Sequence, residues 1–110
     1  MKLSFQGNQV IHPGGELEAQ YPVQEARFLD GKIVVIYDYM AFPQDAPARN
    51  LFAYDQSGGL IWRAEDIGQG RTDAYVNILS EAPLKVGNFS GFEVELDAST
   101  GKVLNKVFTK

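Results

Sequence analysis

One histidine and no cysteine limit the metal and nucleophilic chemistry available to this chain. His12 precedes Pro13 in a segment rich in turn residues, so we expect a surface turn there. A zinc site would have to depend on carboxylates, and a Ser-His-Asp triad would need His12 as its base. The sequence therefore predicts no metal site and no cofactor.

Three short segments match catalytic motifs only in their letters. "GNFSG" (87–91) has its serine one place later than the G-x-S-x-G nucleophile elbow. "STGK" (99–102) falls in an expected hairpin turn, whereas S-x-x-K chemistry uses a lysine on a helix. "GQGR" (68–71) begins like a phosphate loop, but no G-x-x-x-x-G-K-[ST] pattern follows it. None of these segments predicts an enzyme.

The carboxylates offer a third kind of chemistry, paired acid and base catalysis in a cleft. No spacing in the sequence shows two of them converging, so a carboxylate hydrolase stays the minor alternative. The clearest acidic feature is Glu93, Glu95 and Asp97, which alternate with apolar residues and would share one strand face. This ladder is either a solvated face balanced by Lys102 and Lys106 on the next strand or a docking surface for a basic protein.

A second candidate surface surrounds the only tryptophan. Its partner-binding candidates are Trp62, Arg63, Asp66, Arg71 and Arg49. Tryptophan and arginine dominate the hot spots of protein interfaces, which favours a docking role. Trp62 shares a strand face with Leu60, however, so packing in the core is the competing interpretation.

Period-two alternation predicts that these residues lie on the strands of an all-β fold. "KIVVIYDY" (32–39) is apolar on both faces over residues 33–37, which is typical of a central strand covered on both sides. Turn pairs such as Asp30-Gly31 and Gly58-Gly59 separate the strands. The predicted strands are residues 2–6, 9–12, 16–21, 24–29, 32–39, 50–55, 60–65, 75–81, 84–89, 91–97 and 102–109.

Two connections and one strand leave alternatives open. The segment 72–82 could form a short helix capped by Thr72 or Asp73 and ended by Pro83, although its β-branched "YVNIL" favours a strand. The loops 40–49 and 66–74 are longer than hairpin turns. Such loops often carry function, but both could be plain crossovers.

One turn motif occurs twice, 42 residues apart. "YDQSGGLIWR" from Tyr54 aligns with "LDASTGKVLN" from Leu96, and a weaker third copy is "FLDGKIVV" (28–35). The aspartate would accept hydrogen bonds from the following backbone N–H groups, and Gly59 or Gly101 would take the left-handed conformation. We therefore expect both copies to form the same turn.

This pattern resembles the inner hairpin of quinoprotein-like and tryptophan-aspartate-repeat β-propeller blades, which also recur at about 40–45 residues. The resemblance implies blade-like sheets. A closed propeller needs at least about four blades, and 110 residues are too few for that. We therefore predict one all-β domain over residues 1–110, either an antiparallel meander or a small two-sheet sandwich, with edges that a homodimer could cover.

Charge and composition restrict the partners. A net charge of −4 has the wrong sign for holding nucleic acid and suits a basic protein, although mild acidity also favours solubility. The absence of cysteine fits a reducing compartment. The N-terminal residues lack the apolar run of a signal peptide, and no stretch is apolar enough to span a membrane. We expect a cytoplasmic protein that binds neither nucleic acid nor membrane.

These observations predict a non-enzymatic protein-binding module. Short acidic chains with blade-like hairpins resemble bacterial accessory proteins, among them immunity proteins that neutralise a toxin by capping it. That resemblance implies a toxin partner and assigns no residue. The alternative is a small-molecule or carbohydrate-binding domain, which requires a concave pocket lined by aromatic residues. Its candidates are Trp62, Tyr37, Tyr39, Tyr54 and Tyr75.

Overall fold

The structure, a computed structural model, describes residues 1–109 and folds them into eleven strands and two short 3₁₀ turns. The strands are β1 (Ser4–Gln6), β2 (Gln9–His12), β3 (Gly15–Glu18), β4 (Val23–Leu29), β5 (Lys32–Tyr37), β6 (Leu51–Tyr54), β7 (Leu60–Arg63), β8 (Tyr75–Glu81), β9 (Leu84–Asn88), β10 (Phe92–Leu96) and β11 (Val103–Phe108). The 3₁₀ turns span Tyr39–Ala41 and Gly70–Thr72. The segment 72–82 is therefore a strand preceded by a single helical turn, as its β-branched residues favour.

The strands form three separate antiparallel sheets, which confirms the all-β, antiparallel fold class. The first sheet contains β1–β3, the second β4–β7 and the third β8–β11, each a meander whose strands pair in chain order. The structure therefore contains one sheet more than the expected two-sheet sandwich. No sheet closes on itself within residues 1–109.

The second sheet lies between the other two. Every residue of the run 33–37 has 0% exposure, as the continuous apolar pattern of β5 predicts. Val34 and Ile36 pack in a core cluster with residues of the third sheet, whereas Ile33 and Val35 pack with Val10 and Leu17 of the first. The alternating side chains of one central strand thus build two cores.

The residues before β1 pair with the edge strand β4 of the second sheet. Lys2 forms an antiparallel bridge with Arg27 of β4. The Leu3 amide donates to the Ala26 carbonyl at 2.9 Å, and the Phe28 amide donates to the Met1 carbonyl at 2.8 Å. The outer edge of β4 is therefore covered.

Asn50 joins the second and third sheets through its buried side chain. The amide Nδ2 donates to the carbonyl oxygens of Tyr37 at 2.7 Å and Tyr75 at 2.8 Å. Its Oδ1 accepts the Tyr75 backbone amide at 2.8 Å. Both N–H donors and one of the two oxygen lone pairs of this amide are thus used, which fixes the start of β8 against the end of β5.

The two copies of the repeated turn begin alike and end differently. Asp55 and Asp97 each accept the amide of the serine two residues later, at 2.9 and 2.8 Å. The first turn closes with the Asp55 amide on the Gly59 carbonyl, but the second closes with the Asp97 amide on the Lys102 carbonyl. The second turn is one residue longer, so the expectation of identical turns holds only for their first half.

The position of the left-handed residue explains this difference. In the first turn Gly58 has a φ of +94°, and Gly59 does not take the positive φ expected of it. The aligned residue in the second turn is Thr100, a β-branched residue for which positive φ is costly. The positive φ of +74° moves to Gly101 instead. The extra residue in the second turn follows from that shift.

Candidate functional site

Trp62 packs in the core between the second and third sheets. Its side chain is 6% exposed, and the indole Nε1 donates to the Ala98 carbonyl at 2.8 Å. Gly101 lies flat on the ring, since a Cβ at that position would come within 2.5 Å of Trp62 Cε3. The core-packing interpretation of Trp62 is therefore the one that the structure supports, and the side chain offers little surface to a partner.

The acidic ladder contains two residues rather than three. Glu93 and Glu95 lie on β10, where their strand neighbours Val94 and Leu96 are buried. Asp97 lies past the end of β10, and its carboxylate holds the Ser99 amide of the turn. Its role in the structure is to shape that turn.

Lys85 is the cation that pairs with the ladder. It is the cross-strand neighbour of Glu95 on β9, and its Nζ lies 4.0 Å from Glu93 Oε2. On the other side, β11 places the uncharged Asn105 opposite Glu95 and Val107 opposite Glu93. These five residues form what we call the acidic face.

Neither lysine expected to balance the ladder does so. Lys106 pairs with Val94, and its Nζ donates to the Ile67 carbonyl at 3.0 Å and lies 5.5 Å from the centre of the Phe92 ring. Lys102 precedes β11 and makes no ion pair within residues 1–109. The acidic face therefore holds two carboxylates and one amine.

Strand β11 forms an edge of the third sheet, with β10 on one side only. None of its residues is buried. Its exposed large apolar side chains are Leu104, Val107 and Phe108. An edge of this kind presents unpaired backbone groups and apolar surface together, which makes it suited to pairing with another strand.

Arg49 and Arg63 come together at the ends of β6 and β7. Arg63 Nε donates to the Arg49 carbonyl at 2.8 Å, and Arg49 Nη2 donates to the Arg63 carbonyl at 3.4 Å. Arg63 Nη2 also reaches the Ala48 carbonyl at 3.0 Å, and Arg49 Nε reaches the Ala64 carbonyl at 3.0 Å. We call these two residues the arginine pair.

The arginine pair has no acidic counterpart within residues 1–109. No carboxylate oxygen of that range lies within 4.0 Å of either guanidinium. Burial, and then the positive charge of Arg49, lower the pKa of Arg63. The guanidinium of Arg63 lies over the Phe52 ring at 4.9 Å, which partly offsets this cost.

The other charged candidates of this surface stand apart from the pair. Asp66 accepts the Gly68 amide at 3.1 Å, and Arg71 lies exposed in the second 3₁₀ turn. The residue that orders this loop is Asp73, whose buried carboxylate accepts the amides of Ile67 at 2.7 Å and Gln69 at 3.0 Å. Sequence reasoning considered Asp73 only as a helix cap, because its partners become visible only in the folded chain.

The aromatic residues proposed to line a pocket are mostly buried in packing. Tyr37, Tyr54, Trp62 and Tyr75 all belong to the two cores, and the hydroxyls of Tyr37 and Tyr54 are hydrogen-bonded at 2.7 Å. Burial, followed by the Tyr37 hydrogen bond, raises the pKa of Tyr54, so this hydroxyl is neutral. No pocket opens among the described residues.

The expectation of a surface turn at His12 is wrong, because His12 is the last residue of β2, pairs with Gly15 and is buried. Its Nδ1 accepts the Gly14 amide at 3.2 Å, which caps the turn between β2 and β3. Residues 1–109 contain no cluster of three or more potential metal ligands. In the same range, no helix is long and apolar enough to cross a membrane.

Comparison with known families adds one result. Residues 1–108 match a family model described as "Domain of unknown function (DUF7957)". The chain belongs to the DUF7957 family. The match includes all eleven strands, so the DUF7957 model covers the three sheets, the acidic face and the arginine pair. No curated protein and no solved structure matches the chain.

Proposed function

We propose that this protein is a non-enzymatic binding module that docks a basic protein segment on the acidic face and the adjoining edge of β11. The observation that carries the proposal is the position of the two carboxylates beside an unpaired apolar edge strand. The edge supplies backbone pairing and apolar contact, and the carboxylates select for positive charge.

Strand spacing makes the two features parts of one surface. A segment added beside β11 would lie two strand spacings, about 10 Å, from β10. Only Asn105 and Val107 separate it from Glu93 and Glu95, and neither carries charge. Lysine or arginine side chains on alternate positions of the added segment can extend over these residues to the carboxylates. An extended basic segment is therefore the partner that the surface fits best.

Within this class we favour a bacterial accessory protein that neutralises a toxin in the cytoplasm. The net charge of −4 supports a basic partner, since opposite net charges accelerate association. The resemblance of the repeated hairpins to propeller blades implies a rigid scaffold. The small-molecule alternative receives less support because most of the aromatic candidates are buried in the cores, and the hydrolase alternative receives less because no cleft opens among the described residues.

The proposal is tested with a synthetic peptide that alternates lysine with valine, titrated into the full chain by isothermal calorimetry. We expect saturable binding that weakens as salt rises. The variant Glu93→Lys/Glu95→Lys should lose it, because the added strand then meets like charges. The matched control is Glu16→Lys/Glu18→Lys, which reverses two exposed carboxylates of β3 and changes the net charge equally.

The outcomes distinguish binding at the acidic face from an effect of net charge and from dimer formation. Equal losses in both variants would show that only net charge matters, and unchanged binding in both would remove the acidic face as the docking surface. Sedimentation of the free protein checks the edge itself. A dimer that Val107→Lys dissociates would assign the edge of β11 to a second copy of the chain and contradict the peptide proposal.

A further inference from the structure

The arginine pair concentrates positive charge in an acidic protein without an acidic neighbour. The chain carries a net charge of −4, yet no carboxylate of residues 1–109 lies within 4.0 Å of Arg49 or Arg63. Two adjacent guanidinium groups repel each other, so an outside anion would be favoured there.

Both side chains are held in fixed orientations. Arg63 lies over Phe52 at 4.9 Å and near Phe42 at 5.7 Å, with two of its nitrogens on backbone carbonyls. Arg49 has a backbone φ of +47°, an uncommon conformation for arginine, and its side chain is bound at two nitrogens as well. Little side-chain entropy remains to be lost when a ligand binds.

Unused donors remain on each guanidinium. An arginine has five N–H donors, and the hydrogen bonds of the pair use Nε and Nη2 of each residue. The Nη1 groups make no hydrogen bond within residues 1–109. Both residues are half-buried, so part of each side chain faces solvent.

We propose that the arginine pair is a binding site for an oxyanion, the group shared by phosphates and carboxylates. The fixed guanidinium groups offer charge-assisted hydrogen bonds, and the planar donor arrangement matches two oxygens of one anion. The site is independent of the acidic face, because it lies at the β6 and β7 ends of the second sheet and selects the opposite charge. The oxyanion site and the docking of a basic segment can therefore be disproved separately.

The test is a titration of the native protein with inorganic phosphate and, separately, with sodium acetate, both at constant ionic strength with chloride as balance. The side-chain Nε–Hε resonances of Arg49 and Arg63 are followed by NMR. We expect saturable shifts at both residues and none at Arg71, which is exposed in the second 3₁₀ turn and serves as internal control. Saturation by phosphate alone, or by acetate alone, identifies which source of the oxyanion the site accepts.

A conservative variant separates binding from a structural role. Arg63→Lys keeps the charge but loses the planar set of donors, so the affinity for the anion should fall about tenfold, the value of roughly one charge-assisted hydrogen bond. Arg71→Gln should bind as the wild type does. Shifts that stay linear with anion concentration, or that affect Arg71 equally, would overturn the proposal and leave the pair as a cap for the carbonyls of residues 48 and 64.

Discussion

The hairpins β6–β7 and β10–β11 start from nearly the same turn sequence and place their following residues in opposite environments. Trp62, in the first hairpin, is 6% exposed, whereas the aligned Leu104 is 59% exposed. The turns differ by one residue in length, and side chains alternate along a strand. A single residue in a turn therefore decides whether a large apolar side chain builds the core or forms an edge surface.

The two hairpins also depend on each other. The longer turn of the second hairpin covers the tryptophan of the first, through the Ala98 carbonyl and the glycine at 101. The Glu65 carboxylate accepts the Val103 amide at 2.9 Å on the far side of that turn. The longer second turn thus forms part of the interface between the second and third sheets.

The largest expected effect is the difference in stability between truncating Trp62 and truncating the aligned Leu104. Trp62→Ala should destabilise the protein by about 3–5 kcal/mol, because it leaves a cavity between two sheets. Leu104→Ala should change the free energy of unfolding by less than about 0.5 kcal/mol, since the side chain is exposed. Urea unfolding followed by circular dichroism measures both. A large loss in Leu104→Ala would contradict the register of β11.

A smaller effect separates the two turn glycines with positive φ. Alanine at Gly58 or Gly101 should cost about 1–2 kcal/mol for the left-handed backbone alone. Gly101→Ala should cost about 1–3 kcal/mol more, because its Cβ would overlap the indole of Trp62, whereas Gly58 has only a leucine methyl at 3.7 Å. In a Trp62→Leu background this extra cost should shrink. If both glycines cost the same in the wild type, the turn does not pack on the tryptophan.

The smallest effect is the pH dependence of the first turn. The hydroxyl of Ser57 and the amide of Gly59 hold the pKa of Asp55 below its usual range. A lowered folded pKa stabilises the protein above the ordinary value of about 4 and loses that contribution as pH falls through the folded pKa. The difference in urea midpoint between wild type and Asp55→Asn should therefore shrink on going from about pH 6 to about pH 2. A constant difference would show that the carboxylate charge does not stabilise this turn.

Local patterns were sufficient to predict the strands. The continuous apolar run of β5 predicted burial on both faces, and the alternation of β10 predicted burial on one face. Both predictions depend only on neighbouring residues, because a strand face is either covered or open along its length. The turn at Asp30-Gly31 was also predicted from its two residues alone, and both have the positive φ that a hairpin turn requires, +49° and +73°. The propeller-blade resemblance stays a prediction, since the family match does not test it.

The candidate sites were predictable only in part, because they depend on register and on distant contacts. Glu93 and Glu95 share a face, but Asp97 left the ladder when β10 ended one residue earlier than expected. Lys85 was not considered as the balancing cation, since cross-strand neighbours follow from turn length. Arg49 and Arg63 were expected in one candidate surface, but the hydrogen bonds of each to the other's carbonyl depend on the register between β6 and β7, which the sequence does not specify.

Asn50 couples the unfolding of two sheets, whereas the layers of repeat-like architectures often unfold separately. A stack of similar sheets can lose its outer layer while the rest persists, since each layer contacts only its neighbours. Here, separating the third sheet would break both hydrogen bonds between the buried Asn50 amide and the Tyr75 backbone, which the apolar surroundings make costly to lose. We therefore expect the second and third sheets to unfold in one cooperative step, so that the edge strand β11 does not separate from the rest of the protein on its own.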